Sequence, residues 1–189
     1  MSTKEKNKFM KVLIKKLEEH YKKPISEFDK VIWYEISRYQ NLSEDFIREF
    51  QDVLNWYYIS RDQKLSEDFI RKFQHKVIWY AISRYQLISE DLIRENQDKV
   101  DWETISIYQE LSEDFIKEFK DKVYWEWISK YQKLSEKFIR KFKYKVDWYW
   151  ILKYQTLSEK FIKKYKDNPQ KKWYQFWKLI LSPTSSNKK

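Results

Sequence analysis

A serine recurs at Ser43, Ser66, Ser89, Ser112, Ser135 and Ser158, and a tryptophan at Trp33, Trp56, Trp79, Trp102, Trp125 and Trp148, each at an interval of 23 residues. A fixed period of roughly 20 to 50 residues marks repeat architectures, whose units are too small to bury a core and must stack on their neighbours. The unbroken period predicts one array over the 189 residues. Such a chain is first of all a surface.

The unit at 111–133 reads LSEDFIKEFKDKVYWEWISKYQK. Ser112 precedes Glu113 and Asp114, an N-cap followed by acids that oppose the positive end of a helix dipole. Phe115, Ile116 and Phe119 share one face, so the spacing predicts a first helix, helix A, of about ten residues. A second, helix B, follows on W-x-x-I-S-x-x-Q: Trp125, Ile128, Ser129 and Gln132 project from one packed face at 100° per residue. Asp101, Asp147 and Asn55 stand just before a repeat tryptophan and are candidate caps of helix B.

The expected fold class is all-α: an α-solenoid of tandem 23-residue two-helix repeats with N- and C-terminal capping helices. The expected organisation is a capping helix over 1–24, ending before Pro24, and tandem repeats over 25–168. Those divide into a partial unit at 25–41, full units at 42–64, 65–87, 88–110, 111–133 and 134–156, and a partial unit at 157–168. A second capping helix over 169–181 carries the Trp173, Phe176, Trp177, Ile180 stripe, and a disordered tail fills 182–189.

Composition narrows function by exclusion. Glycine is absent, which removes Gly-rich phosphate loops, dinucleotide fingerprints and nucleophile elbows. Without cysteine, and with His20 and His75 the only histidines, disulfide frameworks, thiol catalysis and multi-histidine metal sites are not expected. No enzyme activity and no cofactor is therefore expected. There is no apolar run of about 18 residues and no secretory leader, so the expected setting is cytoplasmic with no membrane span. The net charge of +10 is uneven: residues 134–189 hold 15 basic against 4 acidic side chains, and residues 42–133 hold 14 against 19.

The string LSEDFI followed by a tryptophan and IS-x-x-Q is similar to the short helical repeats of proteins predicted from large DNA viruses and AT-rich phages or bacteria, over about residues 25–167. The resemblance implies a viral or phage setting, hence the cytoplasm of a host cell. It implies no active site.

Six copies in one chain allow positions to be compared among themselves. The helix B serine (Ser37, Ser60, Ser83, Ser106, Ser129) reads as a small residue allowing close helix approach, and the glutamine (Gln40, Gln63, Gln86, Gln109, Gln132, Gln155) as a partner for exposed backbone groups of the turn. Helix A carries a constant cation, Arg48, Arg71, Arg94, Lys117, Arg140 or Lys163, four residues after a glutamate. Four of these cations also precede an aspartate by four (Asp52, Asp98, Asp121, Asp167). Intrahelical ion pairing is the expected role.

The residues one, two and five places after the tryptophan vary between copies and are expected to face outward. As candidate partner-binding residues they give Tyr34, Arg38, Tyr57, Tyr58, Arg61, Tyr80, Arg84, Trp127, Lys130, Tyr149, Trp150 and Lys153. Rigid rings beside Arg or Lys are the composition of recognition surfaces. The expected function is a non-enzymatic scaffold that binds a protein partner through this face, a viral or phage factor engaging a host component. The alternative is a nucleic-acid-binding solenoid whose rings stack on bases. Weak, non-specific nucleic-acid contact would then fall on Lys141, Lys143, Lys145, Lys164, Lys166, Lys171 and Lys172. Against tracking of a phosphate backbone stands the unit at 88–110, with 2 basic and 7 acidic residues. That unit also replaces the two phenylalanines of helix A by Leu92 and Asn96, a change expected to weaken packing.

Overall fold

The computed structural model describes residues 3–165, with side chains from Met10 onward. These residues form thirteen α-helices, one 3-10 turn and no strand. The fold is an all-α solenoid of two-helix repeats. It divides into two compact units, Met1–Ile105 and Ser106–Lys189, with the boundary inside the unit at 88–110. The expected C-terminal helix and tail lie outside the described residues.

The N-terminal helix α1 (Thr3–Tyr21) ends at Lys22, whose φ of 54° is the left-handed turn that closes many helices. A 3-10 turn, Ile25–Glu27, replaces helix A of the first partial repeat and leads to α2 (Lys30–Tyr39). Asp29 caps α2 one turn before Trp33, accepting from the amides of Val31 and Ile32. In the first compact unit helices of type A and B then alternate as α3 (Glu44–Glu49), α4 (Trp56–Asp62), α5 (Glu67–Lys72), α6 (Trp79–Tyr85) and α7 (Glu90–Glu95). Helix α8 (Trp102–Tyr108) spans the boundary. In the second come α9 (Glu113–Glu118), α10 (Trp125–Tyr131), α11 (Glu136–Lys141), α12 (Trp148–Tyr154) and α13 (Glu159–Tyr165).

Helix A is shorter than its periodicity predicts: α3, α5, α7, α9 and α11 have six residues each. The second phenylalanine lies just past the helix, at φ near −105° in Phe50 and Phe73, and its carbonyl takes the amides three and four residues on. The chain turns there because the next apolar anchor, Leu54, Val77, Val123 or Val146, is pulled into the core. A few Å of turn replaces what would have been the last turn of helix.

In every full repeat the first phenylalanine or leucine and the isoleucine of helix A are buried, with the helix B isoleucine (Ile59, Ile82, Ile105, Ile128, Ile151) at 0% exposure. Each such side chain contributes about 1.5–3 kcal/mol of transfer free energy. The repeat tryptophans sit elsewhere than expected. Trp33 is buried, but the five that follow are half-exposed at the edge of the packed face. Each of Trp56, Trp125 and Trp148 lies against the two rings of the following helix A, at centroid distances of 5.5 Å for Trp56 to Phe73 and 5.1 Å for Trp125 to Phe142. The indole N–H of Trp56 donates to Gln51 O at 2.8 Å, and that of Trp125 to Lys120 O. The ring therefore clips a loop and covers a core edge instead of filling the centre.

The constant polar residues are joints between repeats. Gln63 Nε2 donates to Ser37 O and Gln40 O in the preceding repeat, and its Oε1 accepts from the amide of Leu42, the first residue of its own. Gln86, Gln132 and Gln155 repeat the pattern. The expectation that glutamine serves a turn holds, and the turn is the one that joins the preceding repeat to its own. The serine is more than a small spacer: Ser37 Oγ accepts from the Asn55 amide at 2.9 Å, and Ser60, Ser83, Ser106 and Ser129 do the same for Ile78, Asp101, Tyr124 and Asp147. Each buried hydroxyl thus occupies the entry amide of the next helix B. Asn55 and Asp147 each cap their own helix B through two amides, and Asp101 caps through the Thr104 amide. Ile78 and Tyr124 have no capping side chain.

Ion pairs follow the expected intrahelical pattern in part. Arg48, Arg71 and Arg94 pair with Glu44, Glu67 and Glu90, and also with the aspartate three residues back. The same glutamates reach forward: Glu44 Oε1 accepts from the Ser66 amide, and Glu67 from Ser89. The aspartates expected to pair within helix A do otherwise, since Asp52 binds Lys76 and Asp121 binds Lys145, each one repeat on. Those lysines lie 5.9 Å over Trp56 and Trp125 as lids. Asn96 occupies the buried position that holds Phe73 one repeat earlier, and satisfies itself by donating to Leu92 O at 3.1 Å. The helix closes there on Ile93 O instead of on the carbonyl four residues back.

Candidate partner-binding face of helix B

Successive B helices pack on each other, α2 on α4 and α4 on α6 in the first unit, α10 on α12 in the second. That packing divides the expected outward residues into two classes. Those one place after the tryptophan are exposed in the first unit: Tyr34 and Tyr57 at 36%, Tyr80 at 44%. Those two places after it face the flank between B helices. Ala81 and Thr104 are buried there, and Tyr58, Trp127 and Trp150 are half-buried. The outward placement expected for Trp127 and Trp150 is thereby corrected. A face opposite the core of one helix is a flank once the next repeat lies against it. Tyr149 is half-buried as well, against Trp150 at 4.6 Å.

The cations five places after the tryptophan hold rings together. In the first unit Arg38 lies 4.9 Å over Tyr39 and 5.3 Å over Tyr58. Arg61 lies over Tyr58 and Tyr85, and Arg84 over Tyr85. Arg38 Nη1 also donates to the Tyr34 hydroxyl at 3.0 Å, which is 2.9 Å from that of Tyr58. The bonds to Tyr58 and then Arg38 hold the Tyr34 phenol below its ordinary range, while the same bond to Tyr34 pushes Tyr58 up. Arg38 is raised in turn by its bond to Tyr34. In the second unit Lys130 lies over Trp127, Tyr131 and Trp150, the last at 4.4 Å, and Lys153 over Tyr149, Trp150 and Tyr154.

The most exposed rings of this face are ones the sequence comparison passed over. Tyr39, Tyr85, Tyr108, Tyr131 and Tyr154, six places after the tryptophan, are 66%, 46%, 44%, 48% and 51% exposed. Their signal was a residue type constant in five of six copies yet off the packed stripe. In the second repeat Asp62 takes the place and pairs with Arg61 at 3.0 Å.

The C-terminal lysines form a looser set. Lys145 is engaged with Asp121 and Trp125. Lys141, Lys143 and Lys164 lie over the rings of Phe142, Tyr144 and Tyr165. Lys166, Lys171 and Lys172 lie outside the described residues. No helix among the described residues is long and apolar enough to cross a membrane, and no group of three or more His, Asp or Glu among them could hold a metal ion. No family model, curated protein or solved structure matches the chain.

Proposed function

We propose that the protein is a non-enzymatic repeat scaffold that binds a protein partner along the helix B face. The observation that carries this reading is that each unit keeps exposed tyrosines on its B helices beneath stacked cations, Tyr39 and Tyr85 in the first and Tyr131 and Tyr154 in the second. A ring that stays 44–66% exposed in five repeats adds little to the core, and Tyr39, Tyr85, Tyr131 and Tyr154 each lie under a guanidinium or ammonium. Rigid rings of this kind give contact area at low entropic cost, and Arg adds directed donors. A viral or phage origin and a host partner, which the repeat resemblance implies, fit a molecule of this type.

The test compares capture from host lysate by the wild-type chain and by Tyr39→Ser/Tyr85→Ser, with and without nuclease. These rings are exposed, so melting should be unchanged. Nuclease-resistant capture lost in the variant supports the reading. Capture that nuclease abolishes, or that the variant retains, overturns it.

A further inference from the structure

The charge of helix A reverses in the last two repeats. The residue two places after the capping serine is Asp45, Asp68, Asp91 and Asp114 in four repeats, and Lys137 and Lys160 in the next two. Four places further on, Lys141 and Lys164 stand where three earlier repeats have Glu49, Glu95 and Glu118. Three places beyond that, Tyr144 stands where three earlier repeats have Asp52, Asp98 and Asp121. Residues 134–165 thus hold 9 basic and 3 acidic side chains, against 5 and 7 in the segment of the same phase at 42–73.

Folding does not select these lysines. Lys137 and Lys160 stand in the first turn of α11 and α13, where a cation meets the positive end of the helix dipole. The aspartate of earlier repeats is favourable there and pairs with the arginine three residues on, as Asp45 does with Arg48 at 2.6 Å. Lys137, Lys141, Lys160, Lys163 and Lys164 are instead exposed, with no carboxylate in ion-pairing distance among the described residues. Helices α11 and α13 are neighbours, since Glu136 Oε1 accepts from the Ser158 amide at 2.7 Å and Arg140 lies 5.6 Å over the Phe161 ring. Residues four apart share one side of a helix, so Lys137 with Lys141, and Lys160 with Lys164, make one basic face over the two repeats.

The chemistry of that face selects a phosphate backbone. Lysine is a point charge on a flexible stem, without the planar fork that fits arginine to a carboxylate, and a group of unpaired ammoniums answers a polyanion of continuous charge. Tyr144 adds a ring in the loop after α11, between Lys143 and Lys145. Lys143 lies 4.7 Å from its centroid and still leaves it 79% exposed. An open ring among lysines can stack on an unpaired base, which a single strand offers and a duplex does not. Independently of the helix B reading, we propose that the helix A face of α11 and α13, with Tyr144, binds single-stranded nucleic acid without regard to sequence. The five lysines meet phosphates and the tyrosine stacks on a base, while Lys145, held by Asp121, takes no part.

The experiment titrates the full chain with a labelled oligothymidine strand, a duplex of equal length, a polyglutamate peptide of equal charge and phosphatidylserine vesicles. Five phosphate contacts on a single strand should cost about a hundredfold in affinity between about 50 and 200 mM salt. Lys137→Asp/Lys160→Asp restores the residue that four repeats carry, so it should melt at or above the wild-type temperature yet bind about tenfold more weakly. Lys141→Glu, also a residue of other repeats, should weaken binding about threefold. Tyr144→Ala should weaken the strand about fivefold or more and leave the duplex unchanged. Absence of strand binding, binding that survives the rise in salt, or wild-type binding by Lys137→Asp/Lys160→Asp overturns the proposal. Preference for polyglutamate or for vesicles overturns the ligand class, and preference for the duplex overturns the stacking role of Tyr144. Tyr39→Ser/Tyr85→Ser should bind the strand as the wild type does, which keeps failure of this face distinct from failure of the helix B reading.

Discussion

The helix B faces of the two compact units are built from the same positions and differ in what their cations can still do. In the first unit the cations are Arg38, Arg61 and Arg84 and the rings are tyrosines. In the second they are Lys130 and Lys153, each over three rings, two of them tryptophans around Lys130. An ammonium enclosed by three rings is a point charge already surrounded. A guanidinium stacked on a ring keeps in-plane donors directed outward. The difference teaches that one repeat pattern yields a covered flank where the rings are large and an exposed edge where they are small and the cation planar.

The strongest challenge to that comparison is to remove a joint common to both units. Gln63→Ala and Gln132→Ala each strand two carbonyls of the preceding repeat and the first amide of their own, and each should cost about 3 kcal/mol, since an unsatisfied buried group costs about 1–3 kcal/mol. Chemical denaturation reads this. A large difference between the two variants would mean that the units differ in their joints as well as their faces.

Next in size, Trp150→Ala should destabilise by about 2 kcal/mol, since it removes a half-buried ring from a flank, whereas Tyr80→Ala should stay within about 0.5 kcal/mol. Thermal melts of the two variants decide it. Equal effects would erase the distinction between flank and edge.

Acid sensitivity should be alike in both units. Burial pushes the Glu67 carboxyl up, but bonds from the Ser89 amide and hydroxyl and the charge of Arg71 outweigh it, leaving the group below its ordinary range. Glu136 is lowered by Ser158, and Asp121 by Lys145. A folded pKa below the unfolded one means stability that is present above the unfolded value, about 4.3 for Glu, and lost as pH falls through the folded value. Melting temperature should thus decline below about pH 4.5, and less steeply in Glu67→Gln and Glu136→Gln. An unchanged slope would show that these inter-repeat bonds do not contribute.

The smallest expected effect sharpens the contrast of cations. Arg38→Lys loses the directed bond to Tyr34, and Lys130→Arg gains nothing its rings do not already give. Both should leave stability within about 0.5 kcal/mol, while the Tyr34 phenol rises toward its ordinary range in Arg38→Lys, as an ultraviolet titration would show.

The repeat, the two helices per unit, the serine caps and the buried isoleucines were all legible in the sequence, because each depends on contacts within about ten residues. A serine before two acids caps wherever it occurs, and Ile59 or Ile128 needs only its own helix to define an inward face. What was missed depends on the neighbour 23 residues away. Asp52 was expected to pair with Arg48 and instead meets Lys76, Trp150 was expected outside and lies on a flank, and Tyr39 and Tyr85 were constant without being core. Internal comparison equates constancy with packing, so it passes over an exposed residue that five of six repeats keep.

The sequence by itself determined that the chain is an all-α array of 23-residue helical pairs, because period, caps and apolar spacing act locally and agree in every copy. Only the tertiary structure decided which polar residues are joints, which rings are flank and which are edge. Those assignments depend on how one repeat lies against the next, and a helical wheel drawn for one helix contains no second helix to cover its side.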